Sequence, residues 1–266
     1  MGTKALTAPE VLARKGAEKL VMMTCYDATF ARLVESAGVD IVLVGDSLGM
    51  VIQGLDSTLA VTVDHVVYHT RCVSRGLART HLVADMPFLS YQVSDEDALR
   101  NAGRLVVGGG AHAVKLEGGQ RSASAIRRIV DAGIPVMGHL GLTPQSVHQF
   151  GGFKVQGRGE AAAERLLADA QAVVEAGVYS LVLESIPAGL ARRITDAAPV
   201  PTIGIGASAA CDGQVLVLHD LLGLDDGFEP RFLKKYEHLS VRVREALSTY
   251  AREVREGAFP DDAHSF

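Results

Sequence analysis

The 266 residues are 48% hydrophobic and 21% charged, enough for one large domain with a substantial core. With 26 basic residues against 31 acidic ones and no basic cluster, the composition argues against a nucleic-acid partner. The cysteines Cys25, Cys72 and Cys211 are widely spaced, cannot pair completely and match no zinc spacing, which is the pattern of free thiols in a reducing compartment. Met1 to Glu10 lack the basic and apolar blocks of a signal peptide, and no uncharged apolar run approaches the roughly 18 residues of a membrane span. The expectation is a cytoplasmic protein without a membrane partner.

In chain order, Thr7-Ala8-Pro9-Glu10 predicts a short leading helix that continues to Lys15 and stops at Gly16. Leu20 to Cys25 is an apolar run without polar alternation, a strand buried on both faces. A helix over Ala28 to Ala37 follows, then a second strand, Val39 to Val44, that stops at Gly45-Asp46-Ser47. A loop rich in Gly, Asp and Ser leads to a helix capped by Thr62 and running to Arg75. The third strand, Thr80 to Ala84, ends on Asp85. The next helix begins at Ser94-Asp95-Glu96-Asp97, with acids where they suit the helix dipole, and Gly108-Gly109-Gly110 breaks it. Strand four is Ala111 to Leu116, with Lys115 and Glu117 at its end, and Ser122 to Ala132 is its helix. Strand five, Pro135 to Gly138, ends at His139. Leu140 to Gly159 is rich in glycine and has little periodicity, so it reads as a structureless segment, a functional lid or a disordered insert. Helix Glu160 to Ala176, strand Tyr179 to Leu183 ending at Glu184, helix Ala188 to Ala197 and strand Val200 to Ile205 resume the pattern. Strand eight is read as Gln214 to Leu218, ending at His219-Asp220, and a long closing helix as Arg231 to Glu256.

Eight strand-then-helix units without a linker predict a single (β/α)8 TIM barrel spanning 1–266, with a short N-terminal and a long C-terminal helix. An open doubly wound sheet is the alternative, but it would gather the chemistry at one switch point. Barrel active sites lie at the C-terminal ends of the strands. Asp46 shares its parity with Val42 and Val44, and Lys115 with Glu117, so Lys115 and Glu117 can face the barrel axis in successive layers. If strands two and three are neighbours, Asp46 and Asp85 can approach closely, and two such carboxylates repel unless they share a proton or a cation. Oxygen-only ligands, with Glu117 extending the cluster, favour magnesium over zinc or copper, leaving positions for an oxygen pair such as a 2-oxo acid.

Each residue also has a plainer reading. A strand-end aspartate caps a turn or the next helix, and Lys115 can simply neutralise Glu117. Glu184 sits among Leu181, Val182, Leu183, Ile186 and Pro187, an apolar setting of the kind that tunes carboxylates into general bases, but it can also cap the following helix. His139 reads as a hydrogen-bonded core histidine and Cys25 as core. Gly204-x-Gly206-x-x-Ala209 imitates a dinucleotide fingerprint, but its late position and weak context favour a close backbone approach instead.

Several longer runs carry a family resemblance: 43–50 (Leu43-Val44-Gly45-Asp46-Ser47-Leu48-Gly49-Met50), 64–70, 114–119 (Val114-Lys115-Leu116-Glu117-Gly118-Gly119), 138–146, 150–159 and 203–207. Together they resemble the ketopantoate hydroxymethyltransferase family, from about Leu20 to Phe266. Ser208-Ala209-Ala210 departs from the glycine and more polar residues expected there. The resemblance implies a magnesium-dependent barrel that moves a hydroxymethyl group from methylenetetrahydrofolate to 3-methyl-2-oxobutanoate, giving 2-dehydropantoate, and a large homo-oligomer, often a decamer. It places Mg2+ on Asp46 and Asp85 with Glu117 supporting it. Ser47 and Lys115 contact the oxo acid together with the metal-site aspartates, and Glu184 is the acid/base residue. Rival readings are a related metal-dependent lyase or mutase of oxo acids, and a catalytically inert oligomeric binding protein on the same fold.

Overall fold

The computed structural model describes residues 5–225 and 227–266; Met1–Lys4, where the leading stretch without a signal-peptide pattern begins, and Asp226 lie outside the described residues. Eight parallel strands close into a barrel in chain order. They are β1 (Leu20–Thr24), β2 (Ile41–Val44), β3 (His81–Asp85), β4 (Ala113–Glu117), β5 (Val136–Gly141), β6 (Ser180–Glu184), β7 (Thr202–Ile205) and β8 (Gly213–Leu216). Closure is made by β8 against β1, with Leu20 opposite Gly213. The open-sheet alternative is thereby removed. Met22, Ile41, Leu43, Val83, Ala113, Met137, Val182, Ile203 and Val215 form one buried cluster inside the barrel. Each fully buried aliphatic side chain contributes about 1.5–3 kcal/mol.

Three helices, Ala28–Ser36, Val63–Ser74 and Asp95–Gly103, start where a polar side chain satisfies a first free N–H group. Asp27 accepts from Thr29 and Phe30 at the start of α2 (Ala28–Ser36), after the leading α1 (Ala8–Leu12). A short α3 (Leu48–Val51) occupies what the sequence suggests is loop. Thr62 caps α4 (Val63–Ser74), and Ser94 caps α5 (Asp95–Gly103), which runs into a π-helical turn over Arg104–Gly108. The remaining barrel helices are α6 (Ala123–Asp131), α7 (Val147–Phe150), α8 (Glu160–Glu175) and α9 (Ala188–Ala197).

The chain divides into two compact units, one ending at Val217 and one running from Leu218 to Phe266. The second contains α10 (Leu218–Leu221) and α11 (Leu239–Glu256). No helix among the described residues is long and apolar enough to cross a membrane.

Four expectations are corrected. β8 ends at Leu216, its last paired residue, opposite Met23, so His219 and Asp220 fall in α10 instead of at a strand end. The connection from β7 to β8 holds no helix; Asp212 accepts from Thr202 and Gln214 donates to the Ser208 carbonyl, which holds these residues in a tight loop. A dinucleotide site needs a helix opening at this point, so the glycine pattern there is no such site. The closing helix starts at Leu239, because 230–238 is spent in turns such as Leu233 N–H to the Pro230 carbonyl. Leu140 to Gly159 is only partly irregular: β5 extends through Gly141, and a 3-10 turn (Pro144–Ser146) and α7 follow.

The N-terminal end of the barrel is closed by α1, whose Ala8 and Val11 join the inner cluster. His81, fully buried at the start of β3, ties this plug to the barrel. Its Nδ1 lies 2.9 Å from the Leu6 carbonyl oxygen, which can only accept, so Nδ1 carries the proton. Nε2 then accepts from the Tyr179 hydroxyl at 2.9 Å. Burial is the main cause that lowers the His81 pKa to about 4, with the neighbouring His112 adding to it and the Leu6 bond opposing it. An unfolded histidine titrates near 6.5. As pH falls from about 6.5 to about 4 the unfolded chain therefore takes up a proton that the folded chain refuses, and stability drops by roughly 1.4 kcal/mol per pH unit. The difference in urea-unfolding stability between the wild type and His81→Gln should carry that slope across this window, since Asp220, raised to about 6, contributes to both proteins alike.

Candidate active site at the barrel mouth

Asp85, Glu117, Gly141 and Glu184 are the last residues of β3, β4, β5 and β6. Register then sets the neighbours: Asp85 opposite Lys115, Glu117 opposite His139, Gly141 opposite Glu184. Lys115 Nζ lies 2.7 Å from Asp85 Oδ1, both side chains almost fully buried. It also lies 3.3 Å from His139 Nδ1. His139 reaches Glu117 Oε1 at 3.5 Å through Nδ1 and Glu184 Oε2 at 3.2 Å through Nε2, the second contact lacking hydrogen-bond alignment. Gly141 is a required glycine: its φ is +97°, and a Cβ there would sit 2.1 Å from the Glu184 carbonyl oxygen.

Asp46 arrives differently from the parity argument. Ile41 and Leu43 are the β2 residues in the inner cluster, so Val42 and Val44, buried outside that cluster, take the opposite face. Asp46 lies beyond the strand, in the turn before α3, and that turn carries it to the site. Its backbone N–H donates to Asp85 Oδ2 at 2.9 Å, and its Oδ2 accepts from Gln145 Nε2 at 2.8 Å. Gly45 leaves room for this turn, since a Cβ would meet Ser47 Oγ at 2.8 Å. Ser47 stands beside it, its hydroxyl 2.8 Å from that of Tyr26.

Burial first, and then the charges of Asp85 and Glu117, hold the Asp46 carboxyl well above the usual carboxylate range. Burial works against the Lys115 charge, but Asp85, Glu117 and Asp46 together overcome it and raise its pKa. For His139, burial and Lys115 push down while Glu117 and Glu184 push up, and the carboxylates win, at about 9. The four carboxyl groups of Asp46, Asp85, Glu117 and Glu184 thus surround two basic groups, Lys115 and His139. Among the described residues, no three His, Cys, Asp or Glu side chains converge to hold a metal unaided. The Asp46–Asp85 pair still suits Mg2+, which takes one or two carboxylates and keeps its other positions for water or substrate. Asp85 Oδ1 is paired with Lys115 at 2.7 Å, and its second lone pair is what it would offer such an ion.

The structure therefore brings Asp46, Ser47, Asp85, Lys115, Glu117 and Glu184 to one end of the barrel. Lys115 pairs with Asp85, so it does more than neutralise Glu117. Glu184 does not cap α9, whose N-cap is Pro187. The core reading of His139 understates it: its ring links Glu117 to Glu184. Sequence reasoning also passes over Gln145 and Tyr91, although Gln145 stands in the 138–146 run that carries the resemblance. Cys25 is fully buried, and burial pushes its thiol up to about 11.

An ammonium and an imidazole set among carboxylates at the mouth of a (β/α)8 barrel define an acid–base enzyme for a small, oxygen-rich substrate. Residues 5–262 match the family model for ketopantoate hydroxymethyltransferase. Relatives named 3-methyl-2-oxobutanoate hydroxymethyltransferase include one from Syntrophus aciditrophicus, 56% identical over 100% of this chain and 97% of its own. Another, from Moorella thermoacetica, is 58% identical over 98% and 97%. The chain belongs to the ketopantoate hydroxymethyltransferase family, and its activity is that of a 3-methyl-2-oxobutanoate hydroxymethyltransferase, a transferase of pantothenate biosynthesis. Among solved structures, 2,3-dimethylmalate lyase, of the PEP mutase/isocitrate lyase superfamily, superposes with TM-score 0.62 at 17% identity, covering 97% of this chain and 92% of its own. Phosphonopyruvate hydrolase in complex with oxalate and Mg++ gives 0.62 at 13%, covering 97% and 93%. At these identities the likeness is one of fold, and the lyase or mutase reading gains nothing from it.

Burial keeps the Cys25 thiol from forming the thiolate that a nucleophile needs. Cys25→Ala should keep wild-type turnover, and the folded protein's Cys25 should resist a thiol reagent at pH 8 on the time scale of the assay.

Proposed function

We propose that the chain, acting as one domain over 1–266, binds Mg2+ through Asp46 and Asp85, with Glu117 supporting it through water, and uses methylenetetrahydrofolate as co-substrate. The observation that carries this reading is the buried Asp46–Asp85 pair with Lys115 set against Asp85. When bound, Mg2+ would draw electron density from the carboxylate and 2-oxo oxygens of 3-methyl-2-oxobutanoate and so acidify its C3–H bond. Asp46 and Ser47 position the oxo acid at the end of β2. Lys115 places positive charge where the 2-oxo oxygen becomes negative as the enolate forms. Glu184 takes the C3 proton; it is only partly buried, with 17% of its side chain exposed, so substrate can reach it. The new C3 nucleophile attacks the one-carbon unit of the folate, water supplies the hydroxyl, and tetrahydrofolate departs. The part of the glycine-rich Leu140 to Gly159 segment that follows β5 closes over the ligands against bulk solvent, leaving room for the one water the reaction consumes.

The same reading makes the protein a cytoplasmic homo-oligomer, a decamer by family resemblance. Intact Asp46, Asp85, Lys115, Glu117 and Glu184 speak against an inert binding protein.

Incubation with Mg2+, 3-methyl-2-oxobutanoate and methylenetetrahydrofolate should yield 2-dehydropantoate, and chelation of the metal should stop it. Deuterium exchange at C3 without folate isolates the proton transfer. Glu184→Gln should slow that exchange by about a hundredfold or more; unchanged exchange would remove Glu184 as the base. Asp85→Asn should weaken Mg2+ binding while the protein stays folded.

A further inference from the structure

Gln145 has no role in the scheme above, yet it is 5% exposed and joined to both acidic arms of the site. Its amide orientation is settled by its partners. The Met86 carbonyl oxygen can only accept, so the atom 3.0 Å from it is Nε2. The same NH2 group donates to Asp46 Oδ2 at 2.8 Å. Oε1 therefore faces Tyr91, whose hydroxyl donates to it at 2.7 Å. Tyr91 Oη in turn accepts from the Glu117 backbone N–H at 3.1 Å, and the Gln145 backbone N–H donates to Glu117 Oε2 at 3.1 Å. Every proton in this circuit has one direction to run. Its bonds to the Glu117 backbone, the Glu117 carboxylate and the Met86 carbonyl tie it to rigid strand ends and to the segment leaving β3. Among the described residues no hydrogen bond reaches Asp46 Oδ1.

We propose that Gln145 is a positioning residue that presents Asp46 to the divalent cation. Its NH2 occupies Oδ2 and fixes the carboxylate plane, so that Oδ1 is the oxygen offered. Tyr91 acts one step behind, holding the amide in the orientation that points NH2 at Asp46. A carboxylate on a turn can rotate about its Cβ–Cγ bond, and a bond to one oxygen removes that freedom before the ion arrives. The inference rests on the reading that Asp46 and Asp85 hold Mg2+.

The test is calorimetric titration of the metal-free protein with Mg2+ alone, alongside thermal melting, for the wild type, Gln145→Met, Tyr91→Phe and Asp85→Asn. Gln145→Met keeps the length and removes every polar atom of the side chain; it should weaken Mg2+ by about ten- to a hundredfold, as loss of a hydrogen bond to a metal ligand does. Tyr91→Phe should move the affinity the same way by a smaller factor, with turnover recovering at saturating Mg2+. A lower melting temperature with wild-type Mg2+ affinity in the folded Gln145→Met protein would assign Gln145 to packing and overturn the inference. If that variant does not fold, Tyr91→Phe, which loses one hydroxyl, decides the matter on the same readout, and unchanged affinity again overturns it. Unchanged Mg2+ affinity in Asp85→Asn would instead overturn the metal placement itself, which separates the two failures.

Discussion

The site depends on one buried ion pair, Lys115 against Asp85 at 2.7 Å. Neither group would be stable alone at that depth, because an isolated charge in the interior carries a desolvation penalty of several kcal/mol. Their pairing follows from the sheet: Asp85 and Lys115 are directly opposite on adjacent parallel strands, so both side chains leave the same face at the same height. Once Lys115 is held there, it lies next to His139 and attracts Glu117. His139 extends the chain of charge to Glu184 on β6. One register therefore sets the spacing of groups that come from four strands.

The scaffold keeps this charge at one end. The other end of the barrel is plugged by α1 and closed with neutral groups, the Leu6 carbonyl, His81 and Tyr179. The two non-glycine residues with positive φ among those described, Leu89 at 63° and Ser185 at 47°, lie just past Asp85 and Glu184. Such conformations cost of order 1–3 kcal/mol each and persist only where the surroundings enforce them. Here the enforcing contacts are visible. Ser185 is bonded on both sides, to Ile205 and Gln156, and Ser90, next to Leu89, accepts from Asn101. The chain leaving each of these strand ends is thus bent sharply and then pinned.

The strands were legible because a parallel barrel buries both faces of each strand, so its strands read as unbroken apolar runs bounded by glycine and charge. Asp85, Lys115, Glu117 and Glu184 were legible for the same reason, since each interrupts such a run at its C-terminal end. Asp46 was found by the right signal and the wrong geometry: its parity places it on the outer face, and only the turn through Gly45 brings it to Asp85. The absence of a helix between β7 and β8 and the late start of α11 were not readable, because loop and helix boundaries there follow side-chain bonds such as Thr202 to Asp212.

The sequence by itself determined the barrel class and the acidic and basic residues that cluster at the mouth, because those are set by local periodicity and by polar stops on buried runs. Tertiary structure alone decided that Lys115 belongs to Asp85, that His139 is a bridge between Glu117 and Glu184, and that Gln145 reaches Asp46 across 99 positions of chain. These are pairings between elements far apart in the chain. They follow from strand register and barrel closure, and no local pattern of residue types records which buried polar group meets which.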